Sequence, residues 1–207
     1  MQPAERHHYS EDEYIELERR AVTRSELIRG EIIARAATKP RHNALTTNVI
    51  GELGSRLRAQ GSPCIVFNSD QRVRSEATGI HTYPDVSVAC GPRFHEKYRD
   101  TLTNPTVIVE VLSTSTEGYD RGAKFAHYRT IAGFVEYVLV SQSGRRIEHF
   151  RRLESGQWLL TLLEGDQAEL DLPSLGCRVP LGEIYAQTDL LYGDDDEVAM
   201  ELGPLPG

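Results

Sequence analysis

Cysteine is too sparse and too irregularly placed in this chain to build a framework. Cys64, Cys90 and Cys177 form no C-x-x-C pair, which argues against a disulfide scaffold or a zinc ribbon and leaves all three expected as small buried residues. Long apolar runs are missing too. Stretches such as Val135–Val140 fall far short of the roughly 18 residues needed to cross a bilayer, so no membrane partner is expected. Near the start, Glu11, Asp12 and Glu13 follow His7 and His8 with neither a basic n-region nor an apolar h-region, which makes the cytoplasm the expected location. Tryptophan occurs once, at Trp158, too little aromatic surface for a sugar cleft and hence an argument against a carboxylate-pair glycosidase. Lysine is as scarce: of 23 basic residues only Lys39, Lys97 and Lys124 are lysines, so one in a suggestive position stands out.

What remains is ordinary globular material. With 207 residues, 39% hydrophobic and 26% charged, the chain is long for one domain and short for two. Its formal charge of −8 disfavours an anionic partner only until it is divided by region. Residues 1–31 carry eight acids against five arginines, and residues 189–207 carry six acids and no base, leaving 17 acids and 18 bases in residues 32–188. The body is therefore not repulsive to nucleic acid. One domain over residues 1–188 is expected, with a loose tail over 189–207 that holds the acidic run Asp194–Glu197.

Ser10-Glu-Asp-Glu13 has the form of a capping box ahead of Tyr14 and Leu17 and predicts a short amphipathic helix, packed as a lid. Apolar residues either side of Arg29-Gly30 in Glu26–Ala34 predict a hairpin. Leu45, Val49, Leu53 and Leu57, with Pro40 before and Gly61 after, predict a helix over 41–60. Short strands are expected at Cys64–Asn68, Gln71–Arg74 and Pro84–Cys90. A loop over 91–105 leads to Thr106–Leu112, apolar at nearly every place and so read as a strand covered on both faces at the centre of a sheet. Tyr119–Ile131 reads as a helix and Val135–Val140 as another apolar strand, together a parallel βαβ unit. Arg145–Arg151 and Gln157–Leu163 read as a closing hairpin.

Glu110 is the anomaly. It sits in Val107-Ile-Val-Glu-Val-Leu112 on the strand face shared by Ile108 and Leu112, where an ionised carboxylate must bind a cation, pair with a base or stay protonated. Asp85 poses the same question from the preceding strand, just after Pro84. Two acids at adjacent strand ends suit Mg²⁺, a hard ion that takes one or two carboxylates and keeps waters for a substrate phosphate. Phosphodiester hydrolysis also needs a cation near the developing charge. Lys124, 14 residues after Glu110 at the start of the next helix, can provide it.

Each of these residues has a plainer use. Asp85 fits a strand-entry turn, Glu110 a satisfied buried carboxylate, Lys124 an ion pair with Asp120 at i−4, and Asp70 a turn former. His42 is a lone histidine, more often structural than a base, and stays outside the catalytic set. Arg72, Arg74, Arg145, Arg146, Arg151 and Arg152 serve equally as phosphate contacts along a groove or as a solvated edge. Ser113–Thr116 lacks a G-x-S-x-G elbow and reads as a cap for the helix that follows.

Three strings carry a resemblance: Tyr83-Pro-Asp-Val-Ser-Val-Ala-Cys-Gly91, then Leu102-Thr-Asn-Pro-Thr-Val-Ile-Val-Glu-Val-Leu-Ser-Thr-Ser-Thr116, then Tyr119-Asp-Arg-Gly-Ala-Lys-Phe125. With Glu26–Glu31, His42 and Glu136–Val140 they resemble the Uma2 family of putative restriction endonucleases over roughly residues 10–187. That family lies in the PD-(D/E)xK nuclease superfamily. The resemblance implies a mixed α/β fold, a restriction-endonuclease-like central sheet flanked by helices, here with an N-terminal helix and hairpin. It implies that Pro84-Asp85 is the PD element and Glu110 the second acid, both holding Mg²⁺ or Mn²⁺. Leu112 stands where the superfamily has its lysine, so the resemblance implies that Lys124 supplies the ammonium from the helix. Glu26 or Glu31 adds a further acid, Glu26 being preferred because it opens its motif.

The reading is a metal-dependent endonuclease with DNA as substrate and catalytic residues Asp85, Glu110, Lys124 and Glu26. The rival is a non-catalytic nuclease-fold module that binds nucleic acid or a protein partner. A homodimer is expected on the simple ground that cutting both strands suits two sites related by a two-fold axis.

Overall fold

Local chemistry sets the first elements of the structure, a computed structural model describing residues 7–35, 38–114 and 116–191. The acidic run Asp194–Glu197 and most of the expected tail lie outside the described residues. Ser10 opens α1 (Glu11–Arg20) with both halves of its capping box: Ser10 Oγ accepts from the Glu13 N–H, and the Glu13 carboxylate accepts from the Ser10 N–H. Arg29 and Gly30, at φ of 51° and 81°, form the two-residue turn between β1 (Ser25–Ile28) and β2 (Glu31–Ala34). Pro40 starts α2 (Pro40–Ala59). Gly61, at φ 61°, ends it: its N–H reaches the Arg58 carbonyl at 3.1 Å and the Ser62 N–H reaches Leu57 at 2.9 Å, a Schellman closure.

The chain then lays down β3 (Cys64–Phe67), β4 (Arg72–Arg74), β5 (His81–Thr82), β6 (Val86–Cys90), β7 (Thr101–Leu102) and β8 (Val107–Leu112). A broken helix follows: α3 (Glu117–Tyr119), a π-helical turn (Asp120–Lys124) and α4 (Phe125–Tyr128). After it come β9 (Glu136–Ser141), β10 (Arg146–Arg152), β11 (Trp158–Glu164), β12 (Glu169–Leu172), β13 (Cys177–Pro180) and the short α5 (Leu181–Ile184).

The main sheet has the order β11-β10-β9-β8-β6-β3, with β8 and β9 parallel and the other pairs antiparallel. The βαβ unit is therefore present, and β8 is internal and buried along its whole length. A smaller sheet, β2-β1-β5-β4-β7, stands beside it. Leu45, Val49, Leu53 and Leu57 of α2 pack on Val86, Val88, Val107, Val109 and Val138, each contributing roughly 1.5–3 kcal/mol. On the opposite face Phe125, Tyr128, Ile131 and Phe134 cover Ile108, Leu112, Tyr137 and Leu139.

Several expectations fail for physical reasons. The crossover is not one helix over 119–131, because the π turn widens it at Asp120–Lys124 and α4 ends at Tyr128. The loop over 91–105 contains β7, held through Leu102 against Phe94 and Val73. Rather than forming a lid, α1 is strapped to the small sheet by Glu11 on Arg74 and His81 and by the Tyr14 hydroxyl on the Ser25 carbonyl. Cys64 and Cys90 are cross-strand partners of β3 and β6 and form a disulfide, whereas Cys177 is buried and free as expected. Strand register, invisible in a C-x-x-C search, makes that pairing.

The disulfide ties β3, an edge strand, to the sheet across a 26-residue separation. Cys64→Ser should lower unfolding free energy in urea by about 3 kcal/mol under oxidising conditions and by little in excess reductant. Equal loss in both conditions would show that the crosslink is not the cause.

Candidate active site

Strand register brings the two anomalous acids together. The antiparallel pairing of Val86 with Val109, extended by one residue, sets Asp85 opposite Glu110. Both point to the face covered by the broken helix, and the Asp85 N–H donates to Glu110 Oε2 at 3.3 Å. The helix brings Lys124, whose Nζ stands 2.8 Å from Glu110 Oε1, 3.4 Å from Asp120 Oδ1 and 3.7 Å from Glu26 Oε1. Asp120 and Lys124 bound the π turn, so the widened backbone places both on the site side. Glu26 arrives from β1 of the small sheet, its Oε1 accepting from the Tyr83 N–H at 3.0 Å.

The four residues singled out from sequence, Glu26, Asp85, Glu110 and Lys124, thus share one cavity of about 380 Å³, and each is no more than 6% exposed. Glu31 does not line it. The Lys124–Asp120 ion pair, the plainer use of that lysine, is present as well and is one edge of a larger cluster.

Other members stand outside the catalytic set read from the sequence. His42, from the first turn of α2, puts Nε2 3.1 Å from Asp85 Oδ2, and Arg35 puts a guanidinium nitrogen 3.4 Å from Asp85 Oδ1. The Val111 N–H donates to Asp85 Oδ2 at 2.8 Å. Tyr128 donates its hydroxyl to Glu110 Oε1 at 3.0 Å. Lys39, Ser113, Thr114 and Thr116 line the same cavity. The cap expected of Ser113–Thr116 is made by Ser113, whose hydroxyl accepts from the Thr116 N–H at 3.3 Å and whose carbonyl accepts from the Glu117 N–H at 2.9 Å.

The arginines read equally as phosphate contacts along a groove or as a solvated edge do not gather at this cavity. Arg72 is buried on Asp100 and Thr101, Arg74 is bound to Glu11, and Arg145 is bound to Asp166 and Asp189. None of the six arginines lines the cavity. Asp70 sits in the turn before β4, its N–H bonded to Asn68 Oδ1, as its plainer use required.

Charge in the cavity is unbalanced. Burial pushes Glu110 up to about 8, Asp85 and Asp120 push the same way, and the Lys124 ammonium opposes them. Asp120 is raised by burial, again against Lys124. Burial would lower Lys124, yet Glu110, Glu26 and Asp120 hold it well above its ordinary value. Burial would raise Asp85, but the His42 hydrogen bond and the charges of His42 and Lys124 leave it below the usual carboxylate range.

Carboxylates therefore outnumber cations, and the donors are hard oxygens, which is the set Mg²⁺ or Mn²⁺ prefers. Asp85 and Glu110 are the residues fit to hold such an ion. Among the described residues no group of three His, Cys, Asp or Glu is arranged for a metal, so water and substrate oxygens would fill the remaining positions.

Two outcomes follow from this balance. Lys124→Ala leaves buried carboxylates unpaired and should cost about 3–5 kcal/mol at neutral pH, with part of the loss recovered at pH 5, measured by urea denaturation. Glu110 has a folded pKa above its unfolded value, so its contribution is present below the unfolded pKa and fades as pH rises through about 8. Metal-free protein should accordingly lose melting temperature between pH 5 and 9, and Glu110→Gln should flatten that decline; an unchanged slope would contradict the assignment.

Comparison with known proteins gives the family and the fold. Residues 11–182 match the family Uma2, described as a putative restriction endonuclease. The chain is 40% identical over 164 residues to uncharacterized protein sll1609 of Synechocystis sp., covering 77% of this chain and 89% of that one. It is 33% identical over 176 residues to a second Synechocystis protein, uncharacterized protein slr1290, covering 85% and 90% respectively. The crystal structure of a putative nuclease belonging to DUF820 from Anabaena variabilis superposes with a TM-score of 0.71 at 18% identity, covering 87% of this chain and 99% of that one. The likeness is one of fold, the restriction-endonuclease-like mixed sheet flanked by helices. A family match spanning nearly all the described residues, together with two relatives at 33% identity or more, establishes that the chain belongs to the Uma2 family.

Proposed function

We propose that this chain is a metal-dependent endonuclease that hydrolyses phosphodiester bonds in DNA. Family and fold support a nuclease at a coarse level. The observation that carries the finer reading is the Lys124 ammonium 2.8 Å from Glu110, with Asp85 alongside in the same open-mouthed cavity. Asp85 and Glu110 would hold Mg²⁺ or Mn²⁺. Bound there, the ion would polarise a phosphoryl oxygen and lower the pKa of a coordinated water.

The remaining tasks belong to side chains. Lys124 neutralises charge developing on the phosphate and orients the attacking water. Glu26 and Asp120 hold that ammonium in place, and Tyr128 fixes the Glu110 carboxyl. Arg35 and His42 keep Asp85 ionised and oriented. Lys39 and the hydroxyls of Ser113, Thr114 and Thr116 line the cavity where a phosphate backbone would lie.

Purified protein should nick supercoiled DNA in Mg²⁺ or Mn²⁺ and not in chelator. Asp85→Asn and Glu110→Gln should each reduce the rate at least ~10²-fold while remaining folded by circular dichroism. Parallel incubations with linear DNA, single-stranded DNA and RNA identify the substrate. Absence of metal-dependent cleavage on all four, together with no rise in melting temperature on adding Mg²⁺, would sink the nuclease reading and favour the non-catalytic binding module.

A further inference from the structure

Among the described residues the main sheet ends in an unpaired edge strand. In β11, Trp158-Leu-Leu-Thr-Leu-Leu-Glu164, three leucines are strongly exposed: Leu159 at 43%, Leu160 at 45% and Leu162 at 52%. They lie on both faces of the strand, because residues 158, 160, 162 and 164 share the side packed by Trp158 on Phe125 and Phe134, while 159, 161 and 163 share the other. The devices that normally guard an edge are missing. The strand has no proline, lysine or inward charge, and its pairing with β10 runs from Arg146–Glu164 to Arg152–Trp158 without a bulge.

Hydrogen bonds at the two ends of that ladder fix which backbone groups are free. Leu153 donates to the Gln157 carbonyl at 2.7 Å, and Gly165 donates to the Arg145 carbonyl at 3.0 Å. Alternation along an antiparallel pair then turns the N–H and C=O groups of Leu159, Thr161 and Leu163 toward β10. Those of Trp158, Leu160, Leu162 and Glu164 point outward.

We propose that β11 is a homodimer edge, pairing antiparallel with β11 of a second copy about a two-fold axis through Thr161. The sequence around that residue reads the same in both directions, Leu-Leu-Thr-Leu-Leu. A two-fold at Thr161 pairs Leu160 with the partner's Leu162, and Trp158 with the partner's Glu164. All four carry outward backbone groups, so every pair can exchange both hydrogen bonds, and a shift by one residue would break this parity. Leu159 meets the partner's Leu163 on the other face. Charges complement at the ends: Glu164 comes to lie over the partner's Trp158, next in the sheet to the partner's exposed Arg152, and no like charges face each other. The two main sheets become one continuous sheet, and each exposed leucine gains an apolar cross-strand neighbour.

The interface stands on the edge geometry alone and is independent of the chemistry in the cavity. Sedimentation equilibrium at micromolar concentration should give about 46 kDa, twice the 23.2 kDa chain. Leu160→Lys/Leu162→Lys, still folded by circular dichroism, should give the monomer. Thr161→Cys faces its own copy across a non-hydrogen-bonded pair and should form a crosslinked dimer under mild oxidation, while Leu159→Cys, set opposite Leu163, should not. A monomeric wild type would overturn the proposal. So would a dimer that survives the lysine pair or fails to crosslink through Thr161→Cys.

Discussion

A single buried ammonium organises this molecule. Lys124 is enclosed with three carboxylates within 4 Å, Glu110, Asp120 and Glu26, and each comes from a different element: the central strand, the π turn and the small sheet. An ion pair so deep exists only if its partners are held in place, since desolvation of either charge alone is far too costly. The parallel β8–β9 pair, the widened crossover between them and the attachment of the hairpin all serve that placement. The result is a site whose electrostatics are almost, but not fully, balanced by the protein itself.

That residual imbalance joins stability to function. Glu110 and Asp120 are raised by burial because one lysine cannot neutralise every acid, whereas Asp85 keeps its charge through His42 and its neighbours. A hard divalent cation would answer the imbalance in the chemical terms the site offers, displacing a proton from Glu110 in doing so. The exposed β11 edge raises a different kind of unfinished business: backbone groups and leucines rather than charges, on a strand remote in the sheet order from the β6–β8 pair that carries the acids.

Much of this was legible in the residues. The unbroken apolar run around Glu110 marked β8 as internal, and alternation put Glu110 on the face of Ile108 and Leu112, where the crossover lies. The four-residue spacing of leucines and valine marked α2, and Arg29-Gly30 marked the hairpin turn. Local signals of this sort depend on a few neighbouring residues and survive folding. What was hidden depends on long-range register. Nothing near His42 reveals Asp85 across 43 residues, nothing near Cys64 reveals Cys90, and the arginines of β4 are consumed by Asp100 and Glu11 from distant segments. The π turn was hidden for another reason: nothing in the residues Asp120–Lys124, which mix helix formers with Gly122, separates π from α winding. β12 and β13 carry a readable signal outside the strands expected from sequence: Leu170 and Leu172 alternate with Glu169 and Asp171, Cys177 and Val179 flank Arg178, and Pro173 and Gly176 lie between them.

Diffraction from crystals soaked in Mn²⁺, recorded for its anomalous signal, tests the central claim most directly. The account predicts one strong peak between the carboxylates of Asp85 and Glu110, absent in Glu110→Gln. No peak at that position, or a peak only at surface acids away from Lys124, would contradict it.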